Sequence, residues 1–454
     1  MTARFRYLWF YLAIPAVGFG QTGAAPFQTR RQTAAEKAAG DIILLHADSG
    51  MKHWEEAGFH QDPNFYYFAG LRNAQGTILA IDGTSKESWL FVRLKMGRDK
   101  DLPGLDAVFP LAGSESEAAF SIEHVVPWSE FVAWLDARQS ANPQFTLYLD
   151  SGGQTGRQMG DAGNPEGLAP VFNPYLLWKN SVHSRWPALA IKDAFPMLDE
   201  IRQVKSTDEI AALCKAAAIT AQAFWAAAAA IAPGRAQRQI EGEVLRACLQ
   251  AGSNGPSLRP WIRSGPNSLG SALFAAFFDS TNLDRVTKAG DIVRVDLGCD
   301  SGMYKGDLGR TVPVTGHFDV GQKEALDLLT GAYLAGVDAM KEGAVRQDII
   351  KAGVTYVNEH RGGSKTAAGQ KAAEQIATNG QWPLHGLGLD MADGFPRVLH
   401  AGNVICFEPG VEVDGQMLFV EDTILITVNG HEILNPRLPY WAADIERELA
   451  KRRP

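Results

Sequence analysis

The sequence predicts an α+β protein of two domains, a mixed α/β unit followed by a second unit of capped helices and strand hairpins. Three observations carry that expectation. The chain has 454 residues, and domains run to about 100–200 residues each. Strand-like and helix-like stretches alternate from Asp41 to about Asp150. Near Ile201 the pattern changes to an alanine-rich helix, then to strands and tight turns. A hydrophobic fraction of 46% and a charged fraction of 21% exclude a mainly disordered chain. The formal net charge of -8 argues against a nucleic-acid partner, because phosphate binding needs clustered Lys and Arg. Ten histidines against 51 acidic residues mean that any metal site here is rich in carboxylates.

Taken in order, the first stretch has the plan of a secretory signal. Arg4 and Arg6 precede an apolar run from Tyr7 to Val17, then small residues at Gly18, Gly20 and Ala24. The run is too short to span a bilayer, which needs about 20 apolar residues. The expectation is a signal over residues 1–24, export to the periplasm or beyond, and no membrane span after cleavage. Four cysteines, Cys214, Cys248, Cys299 and Cys406, lack any CxxC spacing. They do not make a disulfide scaffold or a zinc-thiolate site, and are expected to behave as small buried hydrophobes.

In the front half, Ile42-Ile43-Leu44-Leu45 reads as a buried strand. Thr77 to Ile81 and Ser88 to Val92 flank a hairpin-like interruption at Asp82 to Lys86. Trp128, Phe131, Trp134 and Leu135 recur at helical spacing after a Ser129 cap, and Thr146 to Leu149 is a further strand. Ser151 to Pro165 is rich in glycine but has neither GxxxxGK[ST] nor GxGxxG spacing, so it reads as a flexible surface loop. In the second half, Ser206 and Glu209 make a capping box before a helix that stops at Pro233-Gly234. Helices follow over about Gln237–Leu249 and Gln322–Lys341, and Arg361 to Gly380 reads as an inserted loop-helix segment.

The chemistry lies in two strand-turn-strand units. Ile292 to Leu297 and Thr311 to Val314 flank a glycine-punctuated turn. Centring that turn on Ser301-Gly302 places Asp296 opposite Asp307, where Cβ atoms stand about 4.5–5.5 Å apart. Val404 to Glu408 and Leu418 to Glu421 flank Asp414-Gly415, the strongest short hairpin signal. That turn places Glu408 opposite Glu421, with Pro409-Gly410 as a candidate bulge. Paired carboxylates repel unless a cation or proton is shared. With His385 in a glycine-flanked turn between the hairpins, four carboxylates and one imidazole suit a pair of divalent ions.

These residues resemble the pita-bread metallopeptidases, in the Xaa-Pro aminopeptidase (aminopeptidase P) and prolidase branch. Asp296, Asp307, His385, Glu408 and Glu421 fall on that family's five metal-ligand positions, within Asp296-Leu297-Gly298, Phe407-Glu408-Pro409-Gly410 and Val420-Glu421-Asp422-Thr423. Ile201 to Ser206 with Glu209-Ile210 is similar to the entry of the catalytic domain, and Gln61 to Gly70 to the signature of the aminopeptidase P N-terminal domain. The resemblance implies an N-terminal domain over 40–195 and a pita-bread catalytic domain over 200–440. It implies a dinuclear-metal hydrolase that releases the N-terminal residue of peptides with proline second, acting as a homo-oligomer. Two divalent ions are implied, manganese first, with cobalt or zinc as alternatives. Asp296 would hold one ion, His385 and Glu408 the other, and Asp307 and Glu421 both. Glu408 would also be the catalytic residue that shuttles a proton to the departing amine.

The chain departs from the family pattern at four places. No histidine occurs from Ser268 to Phe278, Ala392 stands seven residues past His385, Gln381 stands four before it, and Phe419 replaces an arginine two residues before Glu421. In the family these groups position substrate and stabilise the developing oxyanion. His400 sits before Ala401-Gly402 in what reads as an exposed turn, and is given no catalytic role. A metal-binding family member with weak or altered hydrolysis, in a peptide-binding or assembly role, is therefore the alternative.

Overall fold

The computed structural model describes residues 25–48, 60–93, 110–150, 174–270, 284–436 and 438–452. The signal-like stretch 1–24, the glycine-rich stretch 151–165 and most of 268–278 lie outside them.

The front half is built on a mixed sheet of six strands: β1 (Ile42–His46), β2 (Ile78–Asp82), β3 (Ser88–Val92), β4 (His124–Pro127), β5 (Thr146–Leu149) and β6 (Ala190–Asp193). Their order is β4-β3-β2-β1-β5-β6. β2 runs antiparallel to β1 and β3, and the other pairs are parallel. β1 and β2 bury both faces, which explains their nearly continuous apolar sequences. The helix after β4 spans Phe131–Ala141 and follows a 3-10 turn at Trp128–Glu130, so Ser129 lies inside that turn and does not cap the helix. Phe131, Trp134 and Leu135 are its buried face, as their spacing required.

The Gln61 to Gly70 stretch shows how local chemistry sets an element. Asp62 caps the helix Pro63–Ala69 by accepting from Phe65 N at 2.7 Å, and Pro63 occupies the first turn, where its missing N–H costs nothing. Gly70 ends the helix at φ 73°, and a Cβ there would lie 2.8 Å from the Phe27 ring.

The second half carries an antiparallel sheet of eight strands: β7 (Trp261–Ser264), β8 (Ile292–Leu297), β9 (Leu308–Pro313), β10 (Leu384–Gly386), β11 (Val404–Phe407), β12 (Gly410–Val413), β13 (Gln416–Thr427) and β14 (Gly430–Ile433). The path is β10-β11-β13-β9-β8-β7, and β12 and β14 also pair with β13. Helices Thr207–Ala230, Gln237–Gln250, Val320–Asp338, Arg346–His360 and Ala367–Asn379 supply the apolar partners of this sheet. The first of them begins at the Ser206–Glu209 capping box, where Ser206 N donates to Glu209 Oε2 at 3.0 Å. A second buried cluster joins the halves: Ile43, Leu45, Phe65 and Phe68 share it with Leu213, Leu387, Leu389 and Cys406.

Two further expectations need correction. Asp296 faces Gly309 and not Asp307, because Ser301 bridges to Tyr304 and the turn falls on Gly302-Met303, with Gly302 at φ 67°. Cys248 and Cys299 form a disulfide with Cα atoms 5.6 Å apart, so the two are bonded and not independent apolar side chains. Cys214 and Cys406 are free.

Candidate metal centre

The five acidic and imidazole residues singled out from sequence converge on one face of the second sheet. Asp296 lies near the end of β8, and its neighbours across the sheet are Gly309 in β9 and Glu421 in β13. Asp307 lies immediately before β9. His385 is the middle residue of β10, paired with Cys406 and through it with Thr423. Glu408 follows β11. The turn at Asp414-Gly415, with φ 47° and 74°, sets one register for β11 and β12 against β13. That register is the expected one, and it continues unchanged across Glu408-Pro409, so there is no bulge.

His385 fixes the centre's geometry. Its Nδ1–H donates to the Gly386 carbonyl at 3.0 Å, since a carbonyl can only accept. The lone pair on Nε2 therefore points at carboxylates: Asp307 Oδ2 at 3.6 Å, Glu408 Oε1 at 3.7 Å and Glu421 Oε1 at 4.0 Å. Burial holds the imidazole below its ordinary pKa, which keeps it neutral and able to ligate. Asp296, Asp307 and Glu421 are buried, and Glu421 Oε2 has no hydrogen-bond partner among the described residues. Burial, then the charges of Asp296 and Glu408, push Asp307 well above the usual carboxylate range. Burial, then Asp307, Glu408 and Asp296, do the same to Glu421. Glu408 is pushed up to about 7 by burial and by Asp296, with Arg294 pulling against them.

Such an arrangement is costly for a protein alone, because buried acids repel and an acceptor nitrogen faces other acceptors. Divalent cations remove both problems at once, so the residues fit the metal pair that the fold class implies. Among the described residues two donor clusters are compact enough: Asp307, His385, Cys406 and Glu421, and Asp296, Glu408 and Glu421, with ligand atoms within 4.8 Å of one another in each. The Cys406 thiol was not foreseen, and burial pushes its pKa well up.

Other neighbours also escaped the sequence reading. Arg294 Nη2 donates to Asp296 Oδ2 at 3.0 Å. Arg310 bonds Asp422 behind Glu421. The signal for Arg294 was present as a basic residue two before Asp296 in an otherwise apolar strand. At the altered positions, Gln381 is exposed and Ala392 half-buried, and Phe419 is buried. His400 is exposed and bound to Glu342 Oε1 at 2.9 Å.

The model of metallopeptidase family M24 matches residues 211–428, and that of the aminopeptidase P N-terminal domain matches residues 27–148. The Xaa-Pro aminopeptidase of Escherichia coli is 27% identical over 457 aligned positions, 92% of this chain and 96% of that protein. The Xaa-Pro aminopeptidase of Haemophilus influenzae is 31% identical over 279, covering 56% of this chain and 63% of its own length. Among solved structures, proline aminopeptidase P II of Yersinia pestis superposes with a TM-score of 0.73 at 24% identity, covering 94% of this chain and 99% of that one. Escherichia coli aminopeptidase P with the inhibitor Pro-Leu gives 0.72 at 24% identity, covering 95% and 99%. The structural likenesses establish the fold, and the two family models with the sequence relatives establish the kinship. The chain belongs to the aminopeptidase P branch of the pita-bread metallopeptidases.

Proposed function

We propose that the protein is an exported Xaa-Pro aminopeptidase that uses two divalent ions to release the residue ahead of an N-terminal-proximal proline. The observation that carries this reading is the aim of His385 Nε2 into Asp307, Glu408 and Glu421 while its other nitrogen is tied to Gly386 O. Asp296 would serve one ion, His385 and Glu408 the other, and Asp307 and Glu421 would be shared. When bound, such ions polarise a carbonyl and make a nucleophile available near neutral pH. Glu408, less buried than Asp296, Asp307 and Glu421, would take up a proton at its carboxylate and give it to the departing amine. Manganese, a homo-oligomer and peptides with proline second belong to the same proposal. The relatives named above, both called Xaa-Pro aminopeptidases, support the substrate class.

Export is supported by the basic-apolar-small plan of residues 1–24. The Cys248–Cys299 bond agrees with it, since such bonds persist in oxidising compartments.

A second reading, a metal-binding relative with weak or altered hydrolysis, is favoured by Ala392, Gln381 and Phe419 standing where the family carries histidines and an arginine. One experiment separates the two. The purified chain is loaded with manganese, cobalt or zinc, its metal is counted, and release of the first residue from Xaa-Pro peptides is followed. Steady release, lost in Asp307→Ala together with the metal, is expected. Two ions per chain with no cleavage of any such peptide would defeat the peptidase reading in favour of the second.

A further inference from the structure

Arg294 is two residues before Asp296 in β8, so both side chains lie on the same face of the sheet. Its backbone neighbour is Thr311 in β9. Thr311 Oγ1 in turn accepts from Phe419 N at 2.7 Å and donates to Phe419 O at 3.0 Å. Arg294, Thr311 and Phe419 thus form a row beside the row of Asp296, Gly309 and Glu421. The Arg294 guanidinium lies 3.8 Å from the centroid of the Phe419 ring. Gly309 makes room for that ring: a Cβ there would stand 2.0 Å from Phe419 Cε1 and 2.8 Å from Glu421 Oε2.

The contacts of Arg294 differ from those of the other buried arginines nearby. Arg263 bonds Glu241 and a backbone carbonyl, and Arg310 bonds Asp422 and three carbonyls. Arg294 makes its polar contacts through Nη2, with Asp296 Oδ2 at 3.0 Å and Glu408 Oε2 at 3.8 Å. Its buried Nε, like that of Arg263, has no partner among the described residues. The Phe419 face therefore fixes the plane of the guanidinium, and two acids of the candidate centre receive its charge.

We propose that Arg294, supported by Phe419, is a positioning residue of the metal centre, which holds the Asp296 carboxylate for the ion on that side and keeps a fixed positive charge beside Glu408. This rests on the dinuclear reading above. Position 419 itself carries no charge in this chain, and the guanidinium comes instead from β8, on the far side of β9 from β13.

The test follows uptake of Mn2+ alone by calorimetry and by metal count, beside kcat and KM on an Xaa-Pro peptide. For Arg294→Leu, one ion should bind nearly as in the parent, through Asp307, His385, Glu408 and Glu421. Affinity for the second should fall about 10–100-fold, the usual effect of removing a group that orients a ligand. kcat should fall with KM little changed. Arg294→Lys keeps the charge without the planar fork and should lose part of the second-ion affinity. Arg294→Leu combined with Phe419→Arg should recover it, a rescue that a merely structural role would not give. Parent-like affinity for both ions in Arg294→Leu or Arg294→Lys overturns the proposal, as does a folded double variant no better than Arg294→Leu. A parent chain that takes up no Mn2+ instead overturns the dinuclear reading, so the two failures are distinct.

Discussion

Arg310 donates from Nη2 to both carboxylate oxygens of Asp422 at 2.9 Å, and the pair sits directly behind Glu421. Asp422 also accepts from the hydroxyls of Tyr333 at 2.8 Å and Tyr440 at 2.9 Å. Because side chains alternate along β13, Asp422 faces away from Glu421, and Arg310 reaches round to the Glu421 carbonyl. The backbone that carries one candidate ligand is thereby clamped from the opposite face.

That clamp sets a first prediction. Asp422→Ala leaves the buried Arg310 charge unpaired, and breaking such a pair costs about 3–5 kcal/mol. Urea unfolding should show a loss of that size, and metal uptake should weaken because Glu421 is no longer held. Parent-like unfolding and uptake in Asp422→Ala would show that the clamp does neither.

Much of this was legible beforehand, and the particular residues show why. The Asp414-Gly415 turn needs two positive φ values, which that dipeptide tolerates, so the register that brings Glu408 towards Glu421 could be read from two letters. The other hairpin misled by one position. Ser301-Gly302 and Gly302-Met303 both place glycine in the turn, and only the Ser301–Tyr304 bridge decides between them. A shift of that kind moves Asp307 from opposite Asp296 to the end of its strand, yet the two still share the cluster. Long-range partners were not legible: nothing local links Cys248 to Cys299 across a sequence separation of 51. Nor does the local pattern set Arg294 over Phe419.

The carboxylate cluster makes the stability of the metal-free protein depend on pH in a definite direction. Glu408 has a folded pKa of about 7 against an ordinary 4.5. The folded chain therefore keeps a proton that the unfolded chain has released. Its contribution is fully present below about pH 4.5 and is lost as pH rises to about 7. Asp307 and Glu421 are shifted the same way, whereas His385, held below its ordinary 6.5, opposes them. Urea unfolding in chelator should show stability falling from pH 5 to 7, and added metal should flatten the fall. Glu408→Gln should have a shallower slope by up to one proton, about 1.4 kcal/mol per pH unit. An equal slope in that variant would refute the assignment to Glu408.

The Cys248–Cys299 bond ties the helix Gln237–Gln250 to the chain just past β8, in the same buried cluster. Closing a loop of this length typically adds about 2–4 kcal/mol. Cys248→Ser with Cys299→Ser should lose a comparable amount in urea. Thiol counting should find two free thiols in the unfolded parent, Cys214 and Cys406, and four after reduction. Four free thiols without reduction, in chain recovered from the exported fraction, would contradict the bond.

Arg202 joins the front half to the loop that follows His385. Its guanidinium donates to Asn64 Oδ1 at 2.7 Å, Asp390 Oδ2 at 2.8 Å and Asp393 Oδ1 at 2.6 Å. Lys205 Nζ adds a bond to Asp393 Oδ2 at 3.1 Å, and Gly386 N donates to the Asp393 carbonyl at 3.0 Å. The residue next to His385 is thus tied through Asp393 to Arg202, and through Arg202 to Asn64 of the capped helix Pro63–Ala69. Arg202→Met keeps much of the volume but leaves Asp393 with Lys205 alone, and removing one partner of a buried pair costs about 3–5 kcal/mol. Asn64→Ala removes one neutral acceptor of a charged donor and should cost less, about 1.5–3 kcal/mol. If the tie orients His385, both variants should weaken metal uptake in the order of their stability losses. Arg202→Met that unfolds early but binds metal as the parent does would confine Arg202 to holding the two halves together.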